Sequence, residues 1–446
     1  MKYPRLIIAA TGSGSGKTTI TCGILSALKS MGLCPCSFKC GPDYIDPMFH
    51  RNVLKVESSN LDTFFTNHND TRSIFTDNYS GDIAIIEGVM GLFDGVGGIN
   101  PTGSTYDLAV ALKAPIILVV NARGKGRSIL AEIKGFIDYD ESSLIKGVIL
   151  NRTSDSFARV ISPLIESELG IKVLGFVKND DSIVIDSRHL GLLMPEEISD
   201  IREKIAKAEA YVCHDIDIDS ILDIAKQADE LEISPKQVCH TTGKLIRLAR
   251  AYDEAFCFYY RENMQMFKER GVEIVDFSPI HDRKLPDNID GILLGGGYPE
   301  NYLEGLSNNT SMIESVRASL ASGIPLVAEC GGFMYLMESI SDKDGNSFDM
   351  VGFINGKAFF SGRLVRFGYV TIDIDDEVKI KGHEFHYFDT DNNGEDALIT
   401  KPANGMTYKA MHISDGSYIG FPHLYYPTSP AFVNKFVEAM SSYGGK

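Results

Sequence analysis

Cys330 stands in "PLVAECGGFMYLM", between an apolar run ending on Glu329 and a glycine pair followed by apolar residues at helical spacing. A free cysteine usually serves as a small buried hydrophobe. Here a strand, a sharp glycine-assisted turn and a helix would lift the thiol to the carboxyl end of the strand, the geometry of a nucleophile elbow. The amino terminus of that helix would favour a thiolate. Such a nucleophile needs a proton shuttle, normally histidine, and the downstream half offers His281, His383, His386, His412 and His423. His423, in "YIGFPHLYYP" before a closing helix, is suited to reach a neighbouring strand; His383 and His386 of "KGHEFHYF" are rivals. N–H groups of the glycine turn "LLGGGYPE" (293–300) could form an oxyanion hole.

A second chemistry lies far upstream. "ATGSGSGKTT" (10–19) closes on Gly16-Lys17-Thr18, after an apolar strand and before a helix. In such a loop the backbone of Gly12, Ser13, Gly14, Ser15, Gly16 and Thr19 cradles phosphates, Lys17 reaches the outer ones and the Thr18 hydroxyl ligates magnesium. The strict pattern would place glycine at position 11, where Thr11 stands, so the loop is a variant. "FKCGPDYIDPMFH" (38–50) gathers Asp43, Tyr44, Asp46 and His50 on one turn-rich stretch, and "IIEGVMGLFDG" (85–95) ends a strand on Glu87 and adds Asp94. In a doubly wound sheet the carboxyl ends of the strands gather at one edge, which turns these acids toward the phosphate loop. Glu87 is then placed to hold magnesium.

The elements needed for this can be read off the chain. Short apolar runs at "DIAIIEG", "APIILVVNA", "IKGVILNR" and "KVLGFV" alternate with segments of helical period, predicting a mostly parallel sheet covered on both faces. A charged, helix-like stretch without strands predicts a helical connector over 191–243. A second α/β series through "GVEIVDFSP" and "IDGILLGGGYPE" then fills 244–446. Two domains also follow from a length of 446 residues, since one core rarely supports so many.

Composition narrows the partners. With 44% hydrophobic and 23% charged residues the chain is an ordinary globular protein, and a net charge of −17 disfavours nucleic acid and anionic membranes. The start "MKYPRLIIAATGSGSGKTT" runs from a short apolar patch straight into the loop, so neither signal peptide nor membrane span is expected. The eight cysteines show no regular framework, which predicts reduced thiols in a cytoplasm. "CPCSFKC" (34–40), read as an alternating strand, would send its cysteines to both faces, which argues against a metal cluster there.

Taken in order, "SGSGKTT", "FKCGPDYIDPMFH", "SSNLDTFF", "IIEGVMGLFDG", "GVILNR", "GGGYPE", "AECGGFMYL", "GHEFHYF" and "GFPHLYY" make the whole chain resemble the cobyrinate a,c-diamide synthases, with close relatives acting on nickel-sirohydrochlorin. The resemblance implies an N-terminal P-loop NTPase-like domain (1–190), similar to dethiobiotin synthetase, with a doubly wound parallel sheet. It also implies a C-terminal class I glutamine amidotransferase-like α/β domain. Cys330 would attack the glutamine side-chain amide and release ammonia, with His423 as the shuttle. The other half would use ATP and Mg2+ to make an acyl phosphate on the a and c carboxylates of cobyrinate, or of nickel-sirohydrochlorin. Thr18, Glu87 and Asp46 would hold the metal, Asp43, Tyr44, Asp46 and Asp94 would handle the activated carboxylate or macrocycle, and Asn151 would read the adenine edge. Partners are small molecules, and self-association into a homodimer is left open.

Two departures stand out. Many class I amidotransferases carry glutamate two residues after the histidine, where this chain has Tyr425, so a Cys-His pair is expected without an assigned third member. Ala10 and Thr11 replace a Gly-Thr common in related loops. A partitioning-type ATPase switch would need an early lysine in the loop, and "ATGSGSGKT" has none.

Overall fold

In a computed structural model the described residues are 2–185, 201–233, 245–414 and 416–444. The chain divides into two compact units, Met1–Lys236 and Gln237–Lys446. The expected boundaries at 190/191 and 243/244 lie outside the described residues.

The first unit is built on seven parallel strands: β1 (Arg5–Ala10), β2 (Pro35–Cys40), β3 (Ser58–Leu61), β4 (Ile83–Glu87), β5 (Ile116–Asn121), β6 (Ile145–Thr153) and β7 (Lys172–Lys178), in the order β3-β2-β4-β1-β5-β6-β7. Strands β1 to β4 are buried along their whole length, as their continuous apolar runs require of a sheet covered on both faces. The register pairs Lys39 of β2 with Glu87 of β4, and Glu87 in turn with Ile8 of β1. Helix α1 (Lys17–Ser30) starts directly at the glycine loop.

The segment expected to be a connector contains helices Ile201–Asp215 and Ile218–Lys226. The first packs on α1: Ser26 and Ser30 donate to the two carboxylate oxygens of Glu209 at 2.6 and 2.5 Å, and a Cβ at Gly23 would come within 2.7 Å of Val212. These helices thus complete the first unit rather than standing apart from it.

Cys36, Phe38 and Cys40 share one core-facing side of β2. Side chains two apart in a strand lie on the same face. Cys36 and Cys40 therefore share a face, which corrects the sequence expectation, while Cys34 precedes the strand and is exposed. Burial pushes the Cys36 thiol up to about 11 and Cys40 up to about 12, so both are neutral core groups.

The second unit holds strands β8 (Ile246–Ala251), β9 (Val272–Phe277), β10 (Gly291–Leu294) and β11 (Leu326–Glu329), joined in parallel to Ser417–Gly420, with His412–Ser414 antiparallel at the edge. Between 337 and 424 the chain departs from plain α/β alternation. It forms a four-stranded sheet and a five-stranded antiparallel one, the latter in the order Thr407–Ala410, Ala397–Thr400, Arg366–Asp373, Lys379–His386, His423–Leu424. The short, half-exposed strands here carry alternating patterns characteristic of antiparallel sheets. This second sheet matters because it pairs His383 with His423.

Among the described residues, no helix is long and apolar enough to cross a membrane.

Candidate active sites

The phosphate loop is shaped by its glycines and fastened from a neighbouring strand. Gly14 and Gly16 have φ of +71° and +89°, a left-handed backbone that glycine adopts without strain. A Cβ on Gly16 would also meet Asn151 Nδ2 at 2.1 Å. Asn151, at the end of β6, donates that Nδ2 to the Ser15 carbonyl at 2.7 Å and accepts the Arg152 N–H on Oδ1 at 2.9 Å. Ser15 closes the loop internally by donating to the Gly12 carbonyl at 2.9 Å. Beside it, Gly14, Gly16, Lys17, Thr18, Thr19 and Asn151 help line a cavity of about 250 Å³.

Four charged groups meet at the strand ends. Lys17 is buried and donates to the Met90 carbonyl at 2.5 Å; burial, reinforced by the Lys39 charge, lowers its pKa to about 8. Thr18 Oγ1 donates to Glu87 Oε1 at 2.5 Å. Lys39 Nζ lies 2.8 Å from the same oxygen and 2.5 Å from Asp46 Oδ2. Burial would lower the pKa of Lys39, but Asp46 and Glu87 together hold it well above the usual lysine range. Burial would likewise raise Asp46, yet Lys39 prevails and depresses it. For Glu87 burial prevails and its pKa stays raised. His50, fully buried, sets Nδ1 3.0 Å from Ser37 Oγ and Nε2 3.7 Å from Glu87 Oε2; burial lowers it to about 4, so it is neutral.

The remaining expected acids shape loops. Asp43 Oδ1 accepts the N–H groups of Ile45 and Asp46 at 2.8 and 3.1 Å, and burial next to Asp46 raises it to about 7. Tyr44 is buried in the same turn. Asp94 Oδ2 accepts the Gly91 N–H at 2.9 Å, and its charge acts on Lys17.

A magnesium ion would fit this donor set. Glu87 Oε2 and Asp46 Oδ1 are buried and make no hydrogen bond, and the Thr18 hydroxyl sits on Glu87. Among the described residues no three His, Cys, Asp or Glu side chains form a protein-only cage. Magnesium does not need one, because it keeps waters and phosphate oxygens among its ligands.

In the second unit Cys330 connects β11 to the helix Gly331–Leu336 with φ of +48° and ψ of −105°, a backbone that costs a non-glycine residue ~1–3 kcal/mol. Its N–H is held by the Gly420 carbonyl at 2.9 Å, and Gly332 N–H by Gly295 O at 3.0 Å. Side chains are excluded where elements cross: a Cβ on Gly332 would sit 2.2 Å from Leu294 O, and one on Gly331 2.8 Å from Pro299. The turn Gly295–Gly297 is the common neighbour of cysteine and histidine. Gly331 packs against Gly297 and Pro299, while a Cβ on Gly296 would strike His423 Cε1 at 2.3 Å. Of the N–H groups expected to line an oxyanion hole, that of Gly295 accepts no such role, since it donates to the Tyr259 hydroxyl at 2.8 Å.

The rival histidines pack around His423. The His383 ring stacks on it at 4.9 Å, and His386 stacks on Phe421 at 4.0 Å while its Nδ1 contacts the Phe388 carbonyl at 2.6 Å. Burial lowers His383 to about 3; burial, and then the two neighbouring imidazoles, push His423 well below its ordinary value. Burial also pushes the Cys330 thiol up, which favours the neutral thiol over a thiolate at the helix terminus. Tyr425 is buried with its ring edge-on to Tyr260.

Both halves match family models: the CobQ/CobB/MinD/ParA nucleotide binding domain over residues 6–192 and the CobB/CobQ-like glutamine amidotransferase domain over 247–420. The chain is 36% identical to the cobyrinate a,c-diamide synthase of Caldanaerobacter subterraneus, with 99% of each chain covered. The chain belongs to the cobyrinate a,c-diamide synthase family. Enzymes of the same name from Picrophilus torridus (38% identity, 98% of this chain and 99% of that one) and Clostridium acetobutylicum (40%, 85% and 86%) agree. It is a ligase of the glutamine amidotransferase class that uses a nucleotide, with the P-loop and amidotransferase folds expected of this family.

Three residues of these sites carry no role in the sequence reading. Lys39 was visible as a lone charge in a buried strand, and His50 was noticed without a role. Glu329 read only as the end of an apolar run, yet its Oε2 lies 3.9 Å from His423 Nδ1.

Proposed function

We propose that the chain amidates the a and c side-chain carboxylates of cobyrinate in cobalamin biosynthesis, with one ATP and one glutamine consumed at each. The observation that carries this is the meeting of Thr18 and Lys39 on Glu87 beside a phosphate loop, in a chain that also carries a cysteine elbow. A carboxylate resists ammonia because its oxygen is a poor leaving group; transfer of the outer phosphate makes an acyl phosphate that ammonia can displace. In that step Lys17 steadies the transferred phosphate. Thr18, Glu87 and Asp46 would hold Mg2+, which supplies charge neutralisation of the phosphates. Lys39 keeps Asp46 and Glu87 in place, Asp43, Tyr44 and Asp94 shape the loops facing the carboxylate, and Asn151, which fixes the phosphate loop and lines the cavity beside it, reads the adenine edge.

In the other half the Cys330 proton passes to His423 as Sγ attacks the glutamine amide carbon. His423 returns the proton to the departing nitrogen, which leaves as ammonia, and a thioester remains. Water then attacks the thioester, His423 takes its proton and gives it back to Sγ, and glutamate is released.

The test supplies purified protein with ATP, Mg2+, glutamine and cobyrinate, and follows the carboxylate-to-amide mass change, with nickel-sirohydrochlorin in parallel. Two amidations of cobyrinate support the proposal. Amidation of nickel-sirohydrochlorin alone would transfer the same chemistry to the other macrocycle, and none with either would overturn it.

A further inference from the structure

His423 must carry a proton while buried, and the glutamate that usually supports such a histidine is replaced by Tyr425. Two buried carboxylates approach it from different sides. Glu384, next to His383 on the paired strand, is already matched: Tyr408 donates to Oε2, and Arg366 Nη1 lies 3.5 Å from Oε1. Glu329, one residue before the nucleophile, has Oε1 held by the Tyr426 hydroxyl at 3.1 Å and turns Oε2 toward His423 Nδ1 at 3.9 Å. Nδ1 is thus the ring nitrogen that faces Glu329. We propose that Glu329 is the positioning residue of this histidine: its carboxylate holds Nδ1–H and stabilises the imidazolium while Nε2 takes and returns the Cys330 proton. The strand that carries the nucleophile thus also carries the support of its base. This rests on Cys330 as nucleophile and His423 as its shuttle.

The groups around Glu329 are Tyr426, Tyr259, His423 and Cys330. Burial raises Glu329 to about 8, and the Tyr426 hydroxyl and the Leu424 backbone pull it back down. Because the ionised form does the positioning, glutamine hydrolysis rises with pH through that region.

Glu329→Gln presents an amide N–H to Nδ1 and so favours the tautomer that cannot accept the thiol proton. The expected result is a kcat for glutamine hydrolysis at least about tenfold lower with KM within about twofold, and loss of the alkaline rise. Amidation driven by added ammonia continues. A kcat within about twofold of wild type, or an alkaline rise that survives, overturns the proposal, since the rise would then belong to another group. Should Glu329→Gln fail to fold, Tyr426→Phe decides: removing the hydroxyl must shift the rise to higher pH, and an unmoved rise overturns the proposal. Loss of the rise in Glu384→Gln would overturn it in favour of the other carboxylate. Cys330→Ser separates the two readings, because glutamine use surviving in Cys330→Ser defeats the nucleophile itself, whereas its loss there with an unaffected Glu329→Gln defeats only the positioning role.

Discussion

Around Glu87, in the first unit, a lysine, a threonine hydroxyl and a second carboxylate meet through contacts of 2.5–2.8 Å. Around Cys330, in the second, burial pushes the thiol, His423 and Glu329 toward their uncharged forms. Lys39, Asp46 and Glu87 are buried, as are Cys330, His423 and Glu329, so the difference is one of chemistry. Phosphate transfer needs fixed charge, and the Lys39 cation holds Asp46 below the usual carboxylate range although burial keeps Glu87 raised. Amide hydrolysis needs a proton to move, and groups that burial holds toward neutrality suit a step in which charge is separated only during reaction.

The contrast is broken most completely by removing one reactive group from each unit. Lys17→Ala should abolish amidation with either nitrogen source, by at least about 10³-fold, because carboxylate activation precedes both. Cys330→Ala should abolish only the glutamine-driven reaction and leave the ammonia-driven one. Parallel assays with glutamine and ammonium salts check this. Equal loss from both nitrogen sources in Cys330→Ala would make the cysteine structural.

Next comes stability. Lys39→Met strands Asp46 and Glu87 without their cation, and breaking a buried ion network at one partner costs ~3–5 kcal/mol. Thermal or denaturant unfolding should register it, and the double change Lys39→Met with Asp46→Asn should recover part of the loss. If the single variant is as stable as wild type, the network is not a matched set of charges.

Lys39 also shows where sequence reading stops. Lys17, Thr18 and Glu87 were legible because a local pattern names the first two, and the gathering of strand ends at one edge of a doubly wound sheet finds the third. Lys39 needed the β2–β4 register, which no spacing within "FKC" reveals. Cys330 was legible as an elbow. Spacing favoured His423 only weakly and family likeness made the choice firm, because His383 stacks on His423 and both rivals lie in the strand paired with it. Glu329 stayed hidden since its partner lies 94 positions away, brought close by the pairing of Glu329 with Gly420. The two smaller sheets of the second unit, one mixed and one antiparallel, were missed because their strands lack the continuous apolar runs by which the parallel ones announce themselves.

A smaller effect should separate geometry from charge. Gly296→Ala pushes a methyl into the His423 ring, where a Cβ would lie 2.3 Å from Cε1. Displacing a catalytic group by about 1 Å can cost ~10²-fold, so glutamine hydrolysis should fall on that scale while ammonia-driven amidation holds. Unchanged hydrolysis would mean that the ring can shift without penalty, and that the glycine turn does not position it.

The smallest effect is one of slope. The folded state keeps a proton on Glu329 up to about 8, whereas an unfolded glutamate releases it near 4.5. Between those values the folded protein binds more protons than the unfolded one, so this group makes stability fall as pH rises. His383 acts in the opposite sense: its folded pKa of about 3 lies below the ordinary 6.5, so stability falls as pH drops through the window between them. The neutral site is therefore squeezed from both sides, and its best stability lies where neither group is forced to ionise. Glu329→Gln should remove the alkaline arm alone, flattening the decline of unfolding temperature between about 6.5 and 8 and leaving the His383 rise below 6.5 without its opposing slope. An unchanged alkaline arm would mean that Glu329 titrates in the folded protein much as it does in the unfolded chain, and the contrast between a charged site and a neutral one would lose its second half.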